Sequence, residues 1–135
     1  MASLIGLYSL FFGLCSSFLI IFFSIKNFRN FLNFDSKILS LTFLQFFFVV
    51  VSFLGLIISF INSDFSNETV YNHSHSTKPL FYKISGTWGN HEGSLLLWLL
   101  VLTLFLFLFL LKSKEQNKKY RILTLFFQQI IIIGF

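Results

Sequence analysis

Apolar residues gather in four runs separated by polar intervals. Ser3 to Ile25 has no charged residue over 23 positions, and Ile38 to Ile61 has none over 24. A third run spans His91 to Leu111, and at 1.5 Å rise per residue its 21 positions reach roughly 31 Å, one bilayer core. Each of the three is long enough to cross a membrane as a helix. The fourth, Ile122 to Phe135, has 14 residues and reaches roughly 21 Å, too short to span on its own. The pattern predicts an all-α, polytopic integral membrane protein in one membrane domain, residues 1–135. Its spans fall at about 3–25, 38–61 and 91–111, with a partial segment at 122–135 and a long outer-face loop at 62–90. The first run begins without Lys or Arg and is longer than the apolar stretch of a signal peptide, so it reads as a span. Gly55 is read as tolerated within the second.

Charge placement then sets orientation. Lys26, Arg29 and Lys37 fill the first connector. Lys112, Lys114, Lys118, Lys119 and Arg121 fill the third, whereas the 62–90 loop holds only Lys78 and Lys83. Eight of ten basic residues thus fall on one side, which faces the cytoplasm or a mitochondrial matrix. The amino terminus and the 62–90 loop face the opposite compartment. The net charge of +5 therefore reports membrane orientation, and no nucleic-acid face is expected. A hydrophobic share of 56% with 22 phenylalanines suits lipid as solvent, and the Phe, Leu, Ile, Lys and Asn bias fits an AT-rich organelle genome. Cys15 is the single cysteine, so no disulfide framework or CxxC pair can form within the chain.

The chemistry-bearing residues concentrate between 62 and 98. His73 and His75 form an H-x-H, two potential ligands without a third, and read as part of a solvated loop. "NET" at 67–69 and "NHS" at 72–74 match the glycosylation sequon, a weak signal. Pro79 before "LFY" predicts an extended segment returning to the membrane surface, with Phe81, Tyr82 and Trp88 as interfacial aromatics. "GTWGNHEGSLLLWLL", residues 86–100, allows two starts for the third span. A helix from Ser85 places Gly86, Gly89 and Gly93 on one face for close helix packing, and Trp88, His91, Leu95 and Trp98 on the other. A helix capped by Asn90 places Glu92 in its first turn. In both, His91 and Glu92 stand at the outer membrane boundary. A hydrogen-bonding and aromatic corner of this kind suits a flat aromatic or anionic ligand; the competing reading is a set of ordinary belt residues.

The stretch from 62 to 100 closely resembles the amino-terminal region of the CcmF family, the haem lyase subunits of cytochrome c maturation. The resemblance is carried by "SDFS" at 63–66, "VYNHSHS" at 70–76, "PLFYKIS" at 79–85 and "WGNHEGSLLLW" at 88–98. It implies an integral membrane assembly factor that helps attach haem to the CxxCH cysteines of apocytochrome c on the periplasmic or intermembrane-space face. It further implies haem as cofactor, and apocytochrome c, other haem-lyase fragments and maturation subunits as partners. The location implied is the mitochondrial inner membrane, or alternatively a bacterial inner membrane. The family's tryptophan-rich segment and its later histidine ligands have no counterpart here. The resemblance therefore implies a split-gene fragment without a complete catalytic site, its haem ligands lying in the missing part. Trp88, His91, Glu92 and Trp98 are the expected haem-proximal positioning residues. The rival is a structural hydrophobic subunit of a respiratory or other membrane complex. A transport role is weaker, because the spans lack intramembrane charges.

Overall fold

A computed structural model describes residues 2–27, 34–115 and 117–134. Arg29, most of the first connector and Phe135 lie outside the described residues. The elements are α1 (Ala2–Asn27), α2 (Phe34–Ile61), α3 (Glu68–His73), α4 (Leu80–Gly86), α5 (His91–Lys112), a 3-10 turn (Ser113–Glu115) and α6 (Lys118–Gly134). The fold is all-helical among the described residues, and α1, α2 and α5 are long and apolar enough to cross a membrane. The protein is an integral membrane protein.

The four long helices form a bundle in the cyclic order α1, α2, α5, α6, with α6 returning to pack on α1. Its apolar core is centred toward the lysine-rich end and reaches Ile132 near the far end of α6. In it Ile20, Ile38, Leu106, Leu110, Ile122 and Leu125 are buried together. Aromatic rings add to the seams: Phe12 stacks on Phe48 across α1 and α2, and Phe46 stacks on Phe107 across α2 and α5.

Lipid tails are as apolar as leucine, so burial of apolar surface does not by itself drive helices together in a bilayer. Two other devices do so here. The first is a close backbone approach between α1 and α2. A Cβ on Gly55 would stand 3.0 Å from the Ala2 carbonyl oxygen and 3.2 Å from the Gly6 Cα. The two backbones touch because neither glycine has a side chain at that point. The second is a buried polar tie. Gln45 of α2 and Gln129 of α6 exchange reciprocal side-chain amide hydrogen bonds of 3.1 and 2.9 Å. Gln45 Nε2 also donates to Ser17 Oγ of α1 at 2.7 Å. Three helices meet at one satisfied amide pair, and both glutamines are fully buried.

The short fourth run is held by the same tie. Helix α6 starts at Lys118, four residues before the apolar run. It buries Arg121, Ile122, Leu125, Gln129 and Ile132, a stripe at helical spacing. Its neighbouring Gln128 donates to the Leu102 carbonyl of α5 at 2.8 Å. Arg121 is buried rather than solvated, and its Nε donates to Ser113 Oγ at 3.1 Å. Its guanidinium also reaches the Leu110 carbonyl, one of the last acceptors of α5. One of the eight basic residues used for orientation is therefore a helix-end clamp.

Gly55→Val should loosen the α1–α2 contact and lower stability by about 1–3 kcal/mol. Gly13→Ala, whose added Cβ finds ordinary contacts of 3.7 Å, should change little. Thermal unfolding in detergent checks this, and equal melting of the two variants would refute the close-approach account. Gln129→Leu should cost about 0.6–2 kcal/mol in the same assay; an unchanged melting temperature would dismiss the polar tie.

Candidate functional site

The end of the bundle opposite the lysines is built from a corner and a knot. Helix α2 ends with Ser63 in the left-handed region at φ 53°. The Asp64 amide N–H then donates back to the Ser59 carbonyl at 2.9 Å, closing the helix end. The Ser66 hydroxyl and, secondarily, its backbone N–H donate to the Asp64 carboxylate, which holds that carboxyl below its usual range. Asn67 caps α3, its side-chain oxygen accepting from the Thr69 amide at 3.0 Å. His73 ends that helix with Nδ1 3.0 Å from the Thr69 carbonyl, and both His73 and His75 are exposed. Among the described residues no group of three His, Cys, Asp or Glu side chains comes together.

The segment after Pro79 is helical, not extended. Pro79 serves as the cap residue of α4 at φ −58°. Its ring fixes a dihedral suited to a helix start, and its missing N–H is not needed there. Pro79 itself has extended dihedrals; the expected extension fails because the chain turns immediately after it. Leu80, Phe81 and Tyr82 project outward, while Gly86 rests on the buried Phe60 ring, 3.5 Å from where its Cβ would be. Lys83 Nζ donates to Ser63 Oγ at 2.6 Å and ties α4 to the α2 corner.

Asn90 organises the entry into α5. Its side-chain oxygen accepts from the Gly93 amide at 2.6 Å, and its Nδ2 donates to the Gly86 and Thr87 carbonyls at 2.8 and 3.3 Å. The third span therefore starts at the Asn90 cap, the second of the two starts the sequence allows. Gly86, Gly89 and Gly93 do not share one helix. Gly86 closes α4, Gly89 sits in the turn, and Gly93 lies in the first turn of α5. Gly93 still serves a close approach, but to a turn and not to a neighbouring helix. A Cβ there would overlap the Thr87 carbonyl oxygen at 1.6 Å.

This knot separates the four expected positioning residues. Trp88 is 42% exposed, on the turn, and His91 and Glu92 are exposed at the start of α5. Trp98 is 60% exposed, two turns further on. At 3.6 residues per turn His91 and Trp98 lie about 20° apart and face outward together. Glu92 points elsewhere. With Leu96 and Leu99 it lines a half-open cavity of about 280 Å³ that Leu14, Ser17 and Gln45 close from α1 and α2. The sequence pattern did not reveal this cavity, the Gln45–Gln129 tie or the buried Thr87. Only the phase of Glu92, Leu96 and Leu99 along one helical face could have pointed to the first. Among the described residues this corner offers aromatic faces and an imidazole, groups that can bind and orient a flat ligand.

These features define a class, a polytopic membrane chain, all-helical among the described residues, with its polar motifs gathered at one corner. Comparison with known proteins finds its relatives among the cytochrome c-type biogenesis proteins. No family model matches the chain. Over 57 residues it is 58% identical to the cytochrome c-type biogenesis protein CycK of Bradyrhizobium diazoefficiens, covering 42% of this chain and 9% of that protein. It is 42% identical over 74 residues to a probable cytochrome c biosynthesis protein of Daucus carota, covering 55% of this chain and 12% of that one. A solved structure of the cytochrome c haem lyase CcmF superposes with a TM-score of 0.88 at 25% identity, over 98% of this chain and 22% of that one. The chain is a relative of the CcmF and CycK proteins. It spans about a tenth of the length of the curated relatives it matches.

Asn90→Ala should cost about 0.5–2 kcal/mol through loss of the cap. Gly93→Ala should cost about 3 kcal/mol or more, because backbone has to move. Limited proteolysis of the 62–90 segment in membranes reads both; resistance equal to the unaltered chain in Gly93→Ala would discard the knot.

Proposed function

We propose that this chain is the amino-terminal part of a cytochrome c haem lyase and supplies the membrane scaffold and outer corner on which haem and apocytochrome c are brought together. The superposition on CcmF over nearly the whole chain carries the reading. The basic residues at the opposite end support placing the corner on the periplasmic or intermembrane-space side. The AT-rich residue bias and the plant relative favour the mitochondrial inner membrane.

Haem enters as substrate. The cavity beside Glu92 does not fit it: 280 Å³ falls below the about 300–1,000 Å³ of pockets that hold drug-sized ligands, and a haem is larger than most of these. The Glu92 carboxylate at its mouth also repels propionates. The exposed Trp88, His91 and Trp98 fit the edge of a flat aromatic macrocycle at the surface, by stacking and hydrogen bonding. In this reading Glu92, which lines the groove, takes no part in holding haem. The thiols of apocytochrome c and the vinyl groups of haem supply the reacting atoms, each S–H adding across one vinyl double bond. Iron ligands and the rest of the lyase come from other segments, on this polypeptide or on partner subunits of the maturation system. Residues of this chain position, exclude and anchor.

Trp88→Ala combined with His91→Ala should lower covalent c-type haem about tenfold, the equivalent of about 1.4 kcal/mol, with the chain still in the membrane. Unchanged haem staining of c-type cytochromes would remove the corner from the mechanism. Purification of the tagged chain should recover the remaining haem-lyase segments; recovery of a respiratory complex alone would favour a purely structural subunit. In a Cys15→Ala background, a cysteine at Ser76 should react with an impermeant maleimide from the outer side and one at Lys119 should not. The reverse pattern would invert the topology.

A further inference from the structure

The outer half of the bundle holds an apolar groove with one acidic group at its mouth. Helices α1 and α5 lie diagonally across the bundle, each flanked by α2 and α6. Near the lysine-rich end the space between them is filled by the apolar core. Toward the outer end the space is lined by Ile132 of α6, Leu14 and Ser17 of α1, and Leu96 and Leu99 of α5. From Leu99 to Glu92 the groove runs roughly 10 Å along α5. Its walls are hydrocarbon apart from Ser17 and Gln45, whose polar atoms are already engaged with each other and with Gln129.

Glu92 is the exception. It lines this groove, and among the described residues no hydrogen bond or ion pair engages it. It stands in the first turn of α5, at the end of a helix long and apolar enough to cross a membrane. A carboxylate over an apolar slot selects an occupant with an apolar tail and a cationic head. Haem propionates and anionic lipid heads meet like charge there.

We propose that the groove is a lipid site. One acyl chain of a phospholipid with an ethanolamine headgroup fills the slot between α1 and α5, and its ammonium pairs with Glu92. The site is independent of the haem-facing role of Trp88 and His91, and it stands or falls separately from the haem-lyase reading.

The test uses the full chain with its co-purifying polypeptides, reconstituted in nanodiscs of equal phosphatidylethanolamine and phosphatidylglycerol. Lipid retained after mild detergent extraction is then read by native mass spectrometry. The unaltered protein should retain phosphatidylethanolamine over phosphatidylglycerol at least about threefold, about 0.7 kcal/mol of selectivity. Glu92→Gln should bring the ratio to that of the disc while retained lipid stays in place. Leu96→Trp, which fills the slot, should lose retained lipid of both kinds. An unaltered protein that retains lipid at the bulk ratio, or prefers phosphatidylglycerol, overturns the proposal. So does a photo-crosslinker at Leu96 that captures a polypeptide segment instead of lipid.

Discussion

One carboxamide sets the geometry of the bundle end opposite the lysines. Asn90 spends both its donors on the carbonyls of Gly86 and Thr87 and its acceptor on the Gly93 amide, so turn and helix are locked by one side chain. That lock fixes the rotational phase of α5. With the phase fixed, Glu92 faces the groove, while His91 and Trp98 face away from the bundle. Sliding the helix start by one residue would turn every one of these groups by about 100°. The missing Cβ of Gly93 is the condition for the lock, because any side chain would occupy the Thr87 oxygen.

Below that corner the bundle is held by the forces that remain when the solvent is itself apolar. Close backbone contact at Gly6 and Gly55 draws α1 onto α2. The amides of Gln45 and Gln129 have no water to turn to, so they are satisfied by each other and by Ser17. Arg121 repeats the principle at the other end, where it meets the orphan carbonyls that close α5. Hydrocarbon packing fills the space between these points.

The long helices were legible because runs of twenty or so apolar residues have few alternatives to a helix suited to a membrane. The Asn90 cap was legible as one of two starts, since a short polar side chain before a Glu and a long apolar run satisfies both capping and dipole rules. The outer-loop helices were less so. Six or seven residues carry too little periodicity, and Pro79 can open a helix as readily as it can extend a chain. The Gln45–Gln129 pair had no local signal at all: each is one polar residue in an apolar run, and their meaning lies in being partners across the bundle. The phase of Arg121, Ile122, Leu125, Gln129 and Ile132 is present in the sequence, but the length of the apolar run does not express it. The division of Glu92 from His91 needed a fixed helix phase, which the two open starts withheld.

The distance along the chain between the two glutamines bears on biogenesis. In a chain made from its amino terminus, Gln45 precedes Gln129 by 84 residues. The latch between α2 and α6 therefore cannot close before the last helix is made, and a chain that inserts as it is synthesised would have only Ser17 to engage the Gln45 amide until then.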